Sequence, residues 1–333
     1  MEEKRRLGLG TLWTVLRFFI GAGLIAFLLI KLDVGRIFQY IKNMDIRYLI
    51  LALIPYLLFI IFSTWRWQVL LDYKKMEIPF KSALVIYFIA FFFNNLLPTT
   101  IGGDVMRVLL SMKNRKAEAL AIVLADRILG FIGLFCFGLL SVIYLSLFQN
   151  RSEFLSLMII GLSLLIFITF LLFSKRVYSI FSPAVGRIKI LRIGERINNL
   201  HNTMTDFGSA WGVIIICIIQ SIIIQALLSI SPYLVLKSMG KFDVSILPFF
   251  IYLPIINVIS MIPVSFNALG IRENAYVILF QRAGLSGEVS MTISLVSFFI
   301  FFLLSLIGGI FFIFYKKSFS SQASNESFNK GGL

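Results

Sequence analysis

The sequence predicts an all-α integral membrane protein, and three observations carry that prediction. Apolar residues fill 59% of its 333 positions and charged residues only 14%, with a mean hydropathy of +0.94. A globular fold must cover itself with polar groups and has no use for so much apolar surface. The apolar residues gather in blocks of about 20, the length that spans a bilayer as helix. Lysine and arginine number 31 against 16 acidic residues, and the basic ones lie mostly in short loops between blocks. Topology sorting explains that bias better than nucleic-acid binding does. Attraction to anionic lipid headgroups is a second consequence.

Six blocks are long enough to cross fully: 12–30, 48–71, 128–148, 154–173, 211–236 and 289–315. The first carries Arg17 and no small-residue cleavage site follows it, so it reads as a retained helix rather than a signal peptide. Two further blocks are broken. Block 83–97 runs into Pro98 and a glycine pair, and block 246–262 contains Pro248 and Pro254 and runs into Pro263. Irregular backbone at membrane depth survives only where protein or a water-filled cavity covers it. Both therefore read as re-entrant hairpins or broken helices within a single polytopic domain, residues 1–315. The Ser-, Asn- and Gly-rich stretch 316–333 reads as a disordered tail.

Loop charge suggests the orientation. The long linker 174–210 carries Lys175, Arg176, Arg187, Lys189, Arg192 and Arg196, which places it in the cytoplasm. Lys4, Arg5 and Arg6 at one end and Lys316 and Lys317 at the other place both termini there too. The expected location is the plasma membrane. Stretch 31–47 is the exception, because its four basic residues would face outside. Within the linker, Ile193, Ile197, Leu200, Met204 and Phe207 recur at helical spacing, as on an amphipathic helix at the membrane surface. A plain connector fits that pattern equally well.

An internal repeat relates the broken blocks. Pro98 leads through Gly102, Gly103 and Asp104 to Arg107; Pro263 leads through Gly270 to Arg272, Glu273 and Asn274. The proline-to-arginine spacing is the same, and an offset of 165 residues superposes them. That offset also maps 48–71 onto 213–236 and 128–148 onto 293–313, giving repeat halves of about 48–148 and 213–315. With the expected topology the halves face opposite sides of the membrane. Such an inverted repeat is the plan of many transporters, with the site at the repeat interface.

Charges inside apolar stretches are costly and mark function. Here they are Asp104, Arg107, Asp126, Arg127, Arg272 and Glu273. Glycines 102, 103 and 270 permit sharp turns, and a helix that starts after such a turn offers free N–H groups to an anion. Arginine adds a planar fork that matches phosphate. Asn94 and Asn95 supply further hydrogen-bonding capacity. Arg107, Arg272, Asn94, Asn95, Gly102, Gly103 and Gly270 are accordingly the candidate headgroup-binding residues. Asp104, Asp126, Arg127 and Glu273 are candidate relay or ion-pair residues. The structural alternative is that these charges only pair with one another, Asp104 with Arg107 and Asp126 with Arg107 or Arg272. Arg66, flanked by Trp65 and Trp67, reads as an interfacial anchor that snorkels. Gly130, Gly133 and Gly138 read as helix packing. Cys136 and Cys217 each lie inside an apolar block, and His201 is the only histidine. Zinc, haem and Ser-His-Asp chemistry are thereby disfavoured, and no cofactor is expected.

On these stretches, with Ala125-Asp126-Arg127 between them, the sequence resembles the transmembrane, flippase-like domain of the lysylphosphatidylglycerol synthases, the multiple peptide resistance factors. The resemblance covers roughly residues 10–315. It implies movement of a phospholipid or polyprenyl-phosphate-linked lipid between leaflets. The synthases carry a soluble aminoacyl-transfer domain after the last helix, and only a short polar stretch follows Tyr315 here, so lipid lysylation is not expected. Two alternatives stay open: an intramembrane lipid-phosphate transferase, and a non-transporting partner of a separate synthase or glycosyltransferase. The expected partners are membrane lipids, with a homo-oligomer possible and nucleic acid excluded.

Overall fold

In the computed structural model, every described segment of regular structure is helical. The structure describes residues 2–97, 101–111, 115–149, 154–173, 205, 207, 210–261 and 264–330. Eleven α-helices occur among them: α1 (Glu2–Lys31), α2 (Val34–Lys42), α3 (Ile46–Tyr73), α4 (Phe80–Leu96), α5 (Gly102–Ser111), α6 (Lys116–Gln149), α7 (Leu155–Phe173), α8 (Trp211–Ser238), α9 (Leu247–Ser260), α10 (Ile271–Gln281) and α11 (Gly287–Lys330). Prolines 98 and 263 lie outside the described residues, as does nearly all of the linker and its amphipathic stretch. Phe207 is described, and it is buried against Tyr73 and beneath Lys74 at the end of α3.

Four helices are long and apolar enough to cross a bilayer among the described residues: Ile46–Tyr73, Lys116–Phe148, Trp211–Ser238 and Gly287–Tyr315. The 28 residues of α3 reach about 42 Å, more than the ~30 Å hydrocarbon core. The other two blocks expected to span lie within α1 and α7, each a single helix, of 30 and 19 residues. Past the first the chain bends by 90°, between Leu16–Lys31 and Val34–Lys42. Asp33 and Asp45 place the bends, each accepting a backbone N–H of the helix it opens, from Arg36 and Arg47. Such caps satisfy donors that a helix start leaves open. The basic stretch 31–47 is thus mostly helix α2, with Ile37 buried and Val34, Phe38 and Ile41 exposed. At the other end α11 continues to Lys330, through residues that composition reads as a disordered tail. Extending an existing helix requires no new nucleus.

The broken blocks fold back on themselves. Residues 90 and 103 would stand roughly 20 Å apart along one straight helix. A Cβ on Gly103 would instead lie 2.1 Å from the Ala90 carbonyl oxygen, so α5 returns along α4. Arg107, midway along α5, lies over the Tyr87 ring of α4. In the second block, Phe249 at the start of α9 meets Phe280 at the end of α10, with ring centroids 4.7 Å apart. Both blocks are therefore helical hairpins, and each chain leaves on the side where it entered.

The order long, short, short, long thus occurs twice, as α3–α6 and as α8–α11. The halves pack reciprocally: α3 lies along α8, α4 packs on α11, and its counterpart α9 packs on α6. One apolar cluster joins Trp67, Leu70, Ile86, Ile122 and Cys217. A second joins Phe249, Tyr252, Phe280 and Ile293 to Val142 and Met158. Each cluster mixes residues from both halves, so the repeats share their core.

Candidate functional site

A cavity of about 420 Å³ opens between the two hairpins, within the range of pockets that hold small ligands or headgroups. Its walls carry Arg66, Arg107, Arg127 and Arg272, together with Asp104 and Asp126.

The first hairpin supplies a connected ion-pair cluster. Asp126 on α6 is buried and accepts from Arg66 Nε on α3 and Arg107 Nη1 on α5, each at 2.7 Å. Arg107 Nη2 donates to Asp104 at 2.6 Å, and Arg127 Nε lies 2.6 Å from the other Asp104 oxygen. Arg107 bridges both carboxylates and lies over Trp67 and Tyr87. Buried charges persist only when paired and hydrogen-bonded, and each carboxylate here has two guanidinium partners. Asp126 therefore neutralises Arg107, one of the two partners that sequence allowed, and not Arg272.

Asn94 on α4 lines the cavity, and its carbonyl oxygen accepts the Gly103 N–H at 2.8 Å. Gly103 is needed because the two hairpin arms touch there. Gly102 begins α5 against the Leu97 side chain. Asn95 is not brought to the cavity. Its Nδ2 donates to the Phe91 carbonyl of its own helix, a local bond that occupies the amide.

In the second hairpin, Gly270 turns the chain with φ +81° before α10, a conformation that side chains rarely adopt. Glu273 is fully buried and reaches back to the Gly270 N–H at 2.6 Å. It also accepts from Arg272 Nε at 2.9 Å and lies 3.4 Å from Ser294 Oγ. Arg272 lines the cavity with its guanidinium 4.3 Å over the Phe298 ring, a cation–π arrangement. Helix α1 braces this turn: a Cβ on Gly270 would lie 2.6 Å from Leu24 Cβ.

Arg66 corrects the sequence reading. It is not a snorkelling anchor but a buried member of the cluster, with Nη1 donating to Ser221 Oγ of α8 at 2.8 Å. The flanking tryptophans mimic an interfacial belt, yet Trp67 is fully buried and only Trp65 is exposed. Gly130 and Gly133 make room for this contact, since a Cβ on Gly133 would lie 2.1 Å from Ser221 Cβ. Sequence reasoning also missed Ser221, Gln225, Asn257 and the phenols of Tyr56, Tyr87 and Tyr276, of which all but Ser221 line the cavity. The one available signal was Arg66 inside an apolar block.

Solvent reach separates the four arginines. Side chains of Arg66 and Arg107 are 8% and 6% exposed, those of Arg127 and Arg272 28% and 19%. Arg127 and Arg272 come from different halves, and they are the two that a ligand in the cavity can touch without first dismantling the buried cluster.

The chain is similar along most of its length to known membrane proteins. A UPF0104 membrane protein of Pyrococcus horikoshii is 24% identical, with 89% of this chain and 95% of the relative covered. A UPF0104 membrane protein of Methanothermobacter thermautotrophicus is 22% identical, covering 87% and 91%. No solved structure matches. The profile of the lysylphosphatidylglycerol synthase TM region matches residues 14–309, and the chain belongs to that family of multi-pass membrane proteins.

Proposed function

We propose that the cavity takes a lipid headgroup bearing a phosphate, and that the protein moves that lipid between leaflets of the plasma membrane. The observation that carries the reading is the charge balance between the hairpins. Among the described residues four arginines meet three carboxylates there, Glu273 included, so one positive charge is left for an anionic ligand. Arg127 and Arg272 present it from opposite walls, and planar guanidinium forks suit phosphate oxygens. The cavity holds a headgroup and not two acyl chains, so the tails stay in the bilayer. Hairpins from two repeat halves meeting at one site agree with alternating exposure to the two sides. Both termini are assigned to the cytoplasm by loop charge. The chemistry asked of the site is binding and release, without bond-making, so the protein is read as a carrier and not an enzyme.

Native mass spectrometry of protein purified in mild detergent tests the reading. Wild type is expected to retain one class of phosphate-bearing lipid, and the Arg127→Ala, Arg272→Ala double variant to lose it while keeping its helical content. The same unselective lipids in both proteins would overturn it.

A further inference from the structure

We infer that α2 is an interfacial strap that lies flat at one membrane surface and binds anionic lipid headgroups there, a role separate from that of the cavity. Both of its ends are tied to the ends of spanning helices. Before it, Leu32 meets the first residue of α11, where a Cβ on Gly287 would lie 2.6 Å from the Leu32 side chain. After it, the Asp45 N–H donates to the Ser238 carbonyl at 2.8 Å. Ser238 is the last residue of α8, and α3 begins at Ile46. A helix strung between the ends of three spanning helices runs along the edge of the hydrocarbon layer rather than through it. The 90° bend from α1 and the nine-residue length of α2, about 14 Å, agree with that position.

The residues of α2 form three faces. Ile37 is buried against Leu28 of α1, Val277 of α10 and Met291 of α11, and Tyr40 beside it packs on the cluster around Phe249 and Phe280. Val34, Phe38 and Ile41 share a second, exposed face, within about 60° of one another at helical pitch. Arg36 and Gln39 occupy the third, also exposed, with Lys42 at the boundary of the last two. A helix seated between protein, acyl chains and water needs these three faces, and its apolar one enters the boundary of headgroups and acyl chains. The charges fit that depth. Asp33 and Asp45 are already paired with Arg36 and Arg47. Lys31 and Lys42, at the two ends of the strap, are exposed and meet no carboxylate among the described residues. A lysine at the surface attracts anionic lipid, and its stem covers apolar surface while the ammonium reaches the phosphates. The basic residues of stretch 31–47, which run against the loop-charge rule, thus have a lipid-binding use.

The test uses the full chain with Cys136→Ala, Cys217→Ala and Phe38→Cys, a fluorophore on the new thiol, in phosphatidylcholine–phosphatidylglycerol vesicles. Quenching is measured with a nitroxide high on the acyl chain of either phosphatidylglycerol or phosphatidylcholine, at equal content, and circular dichroism confirms the fold. Both lipids are expected to quench, phosphatidylglycerol about fivefold more strongly, the enrichment that one engaged lysine supplies. Adding Lys31→Gln and Lys42→Gln is expected to abolish the preference and leave the quenching. No quenching by either lipid, with water or a second copy of the chain over the face, overturns the inference. Equal quenching by the two lipids before the lysines are replaced also overturns it, as does a preference that survives their replacement. None of these outcomes depends on whether the cavity carries a lipid.

Discussion

In the first hairpin the arginine of the short helix is held from outside its own element: Asp126 of α6 accepts from Arg107, and Arg66 of α3 closes the same carboxylate. In the second, Arg272 is held by its neighbour in sequence, Glu273. The 165-residue offset shows why. It carries Asp126 onto Met291 and Arg66 onto Ser231, so the outside partners have no charged counterpart in the second half. The backbone support differs in the opposite sense. The second turn needs a positive φ at Gly270 and is braced by α1, whereas Ile101 and Val105 at the first turn stay exposed. One repeat unit has thus been stabilised in two ways, the first by a buried ionic platform and the second by backbone geometry and a covering helix. The arginine with lighter charge pairing, Arg272, is also the more accessible of the two, as a ligand-exchanging group has to be.

The largest effect expected from this difference is at Asp126. Replacing it by leucine leaves the buried Arg66 guanidinium without a carboxylate partner, removes one of the two that hold Arg107, and is expected to cost about 3–5 kcal/mol, measured as loss of thermal stability in detergent. Glu273→Gln keeps an acceptor for the Gly270 N–H and leaves Arg272 partly exposed, so its loss is expected to be smaller. Equal losses would dissolve the distinction between an ionic and a backbone-built hairpin. Next comes Gly270→Ala, which combines a positive φ with a close approach to Leu24 and is expected to cost about 1–3 kcal/mol. Gly102→Ala meets only the movable Leu97 side chain and is expected to cost less in the same melt. A third comparison concerns the bond across the halves. Ser221→Ala removes one acceptor of Arg66 and is expected to cost about 1 kcal/mol, with Arg66 still held by Asp126. The smallest effect is expected at Asn95→Ala, within about 0.5 kcal/mol and with retained lipid unchanged, because its amide serves only its own helix.

Much of the architecture was legible in the residues. Proline and glycine breakers inside apolar blocks marked both hairpins, and the shared proline-to-arginine spacing marked the repeat. Most of the intramembrane charges named from sequence do gather around one cavity, because charge inside a bilayer has few other places to go. Pairing was less legible. Whether Asp126 meets Arg107 or Arg272 depends on which helix faces which, and an apolar block of near-uniform hydrophobicity does not encode its own rotation. Arg66 was hidden by its tryptophan neighbours, whose exposure differs completely although their type is the same. Asn95 was over-read for the complementary reason, since adjacent positions on a helix point in different directions. The bend at residues 32–33 was signalled only by the cap residue Asp33 within a basic stretch.

The central claim is that one arginine from each half, Arg127 and Arg272, forms the seat of a lipid headgroup. The most direct measurement compares labelled-phosphatidylglycerol movement in vesicles by wild type, Asn95→Ala and the Arg127→Ala, Arg272→Ala double variant, each confirmed folded by circular dichroism. The account predicts movement by the first two proteins and its loss in the third. Undiminished movement by the double variant would contradict it.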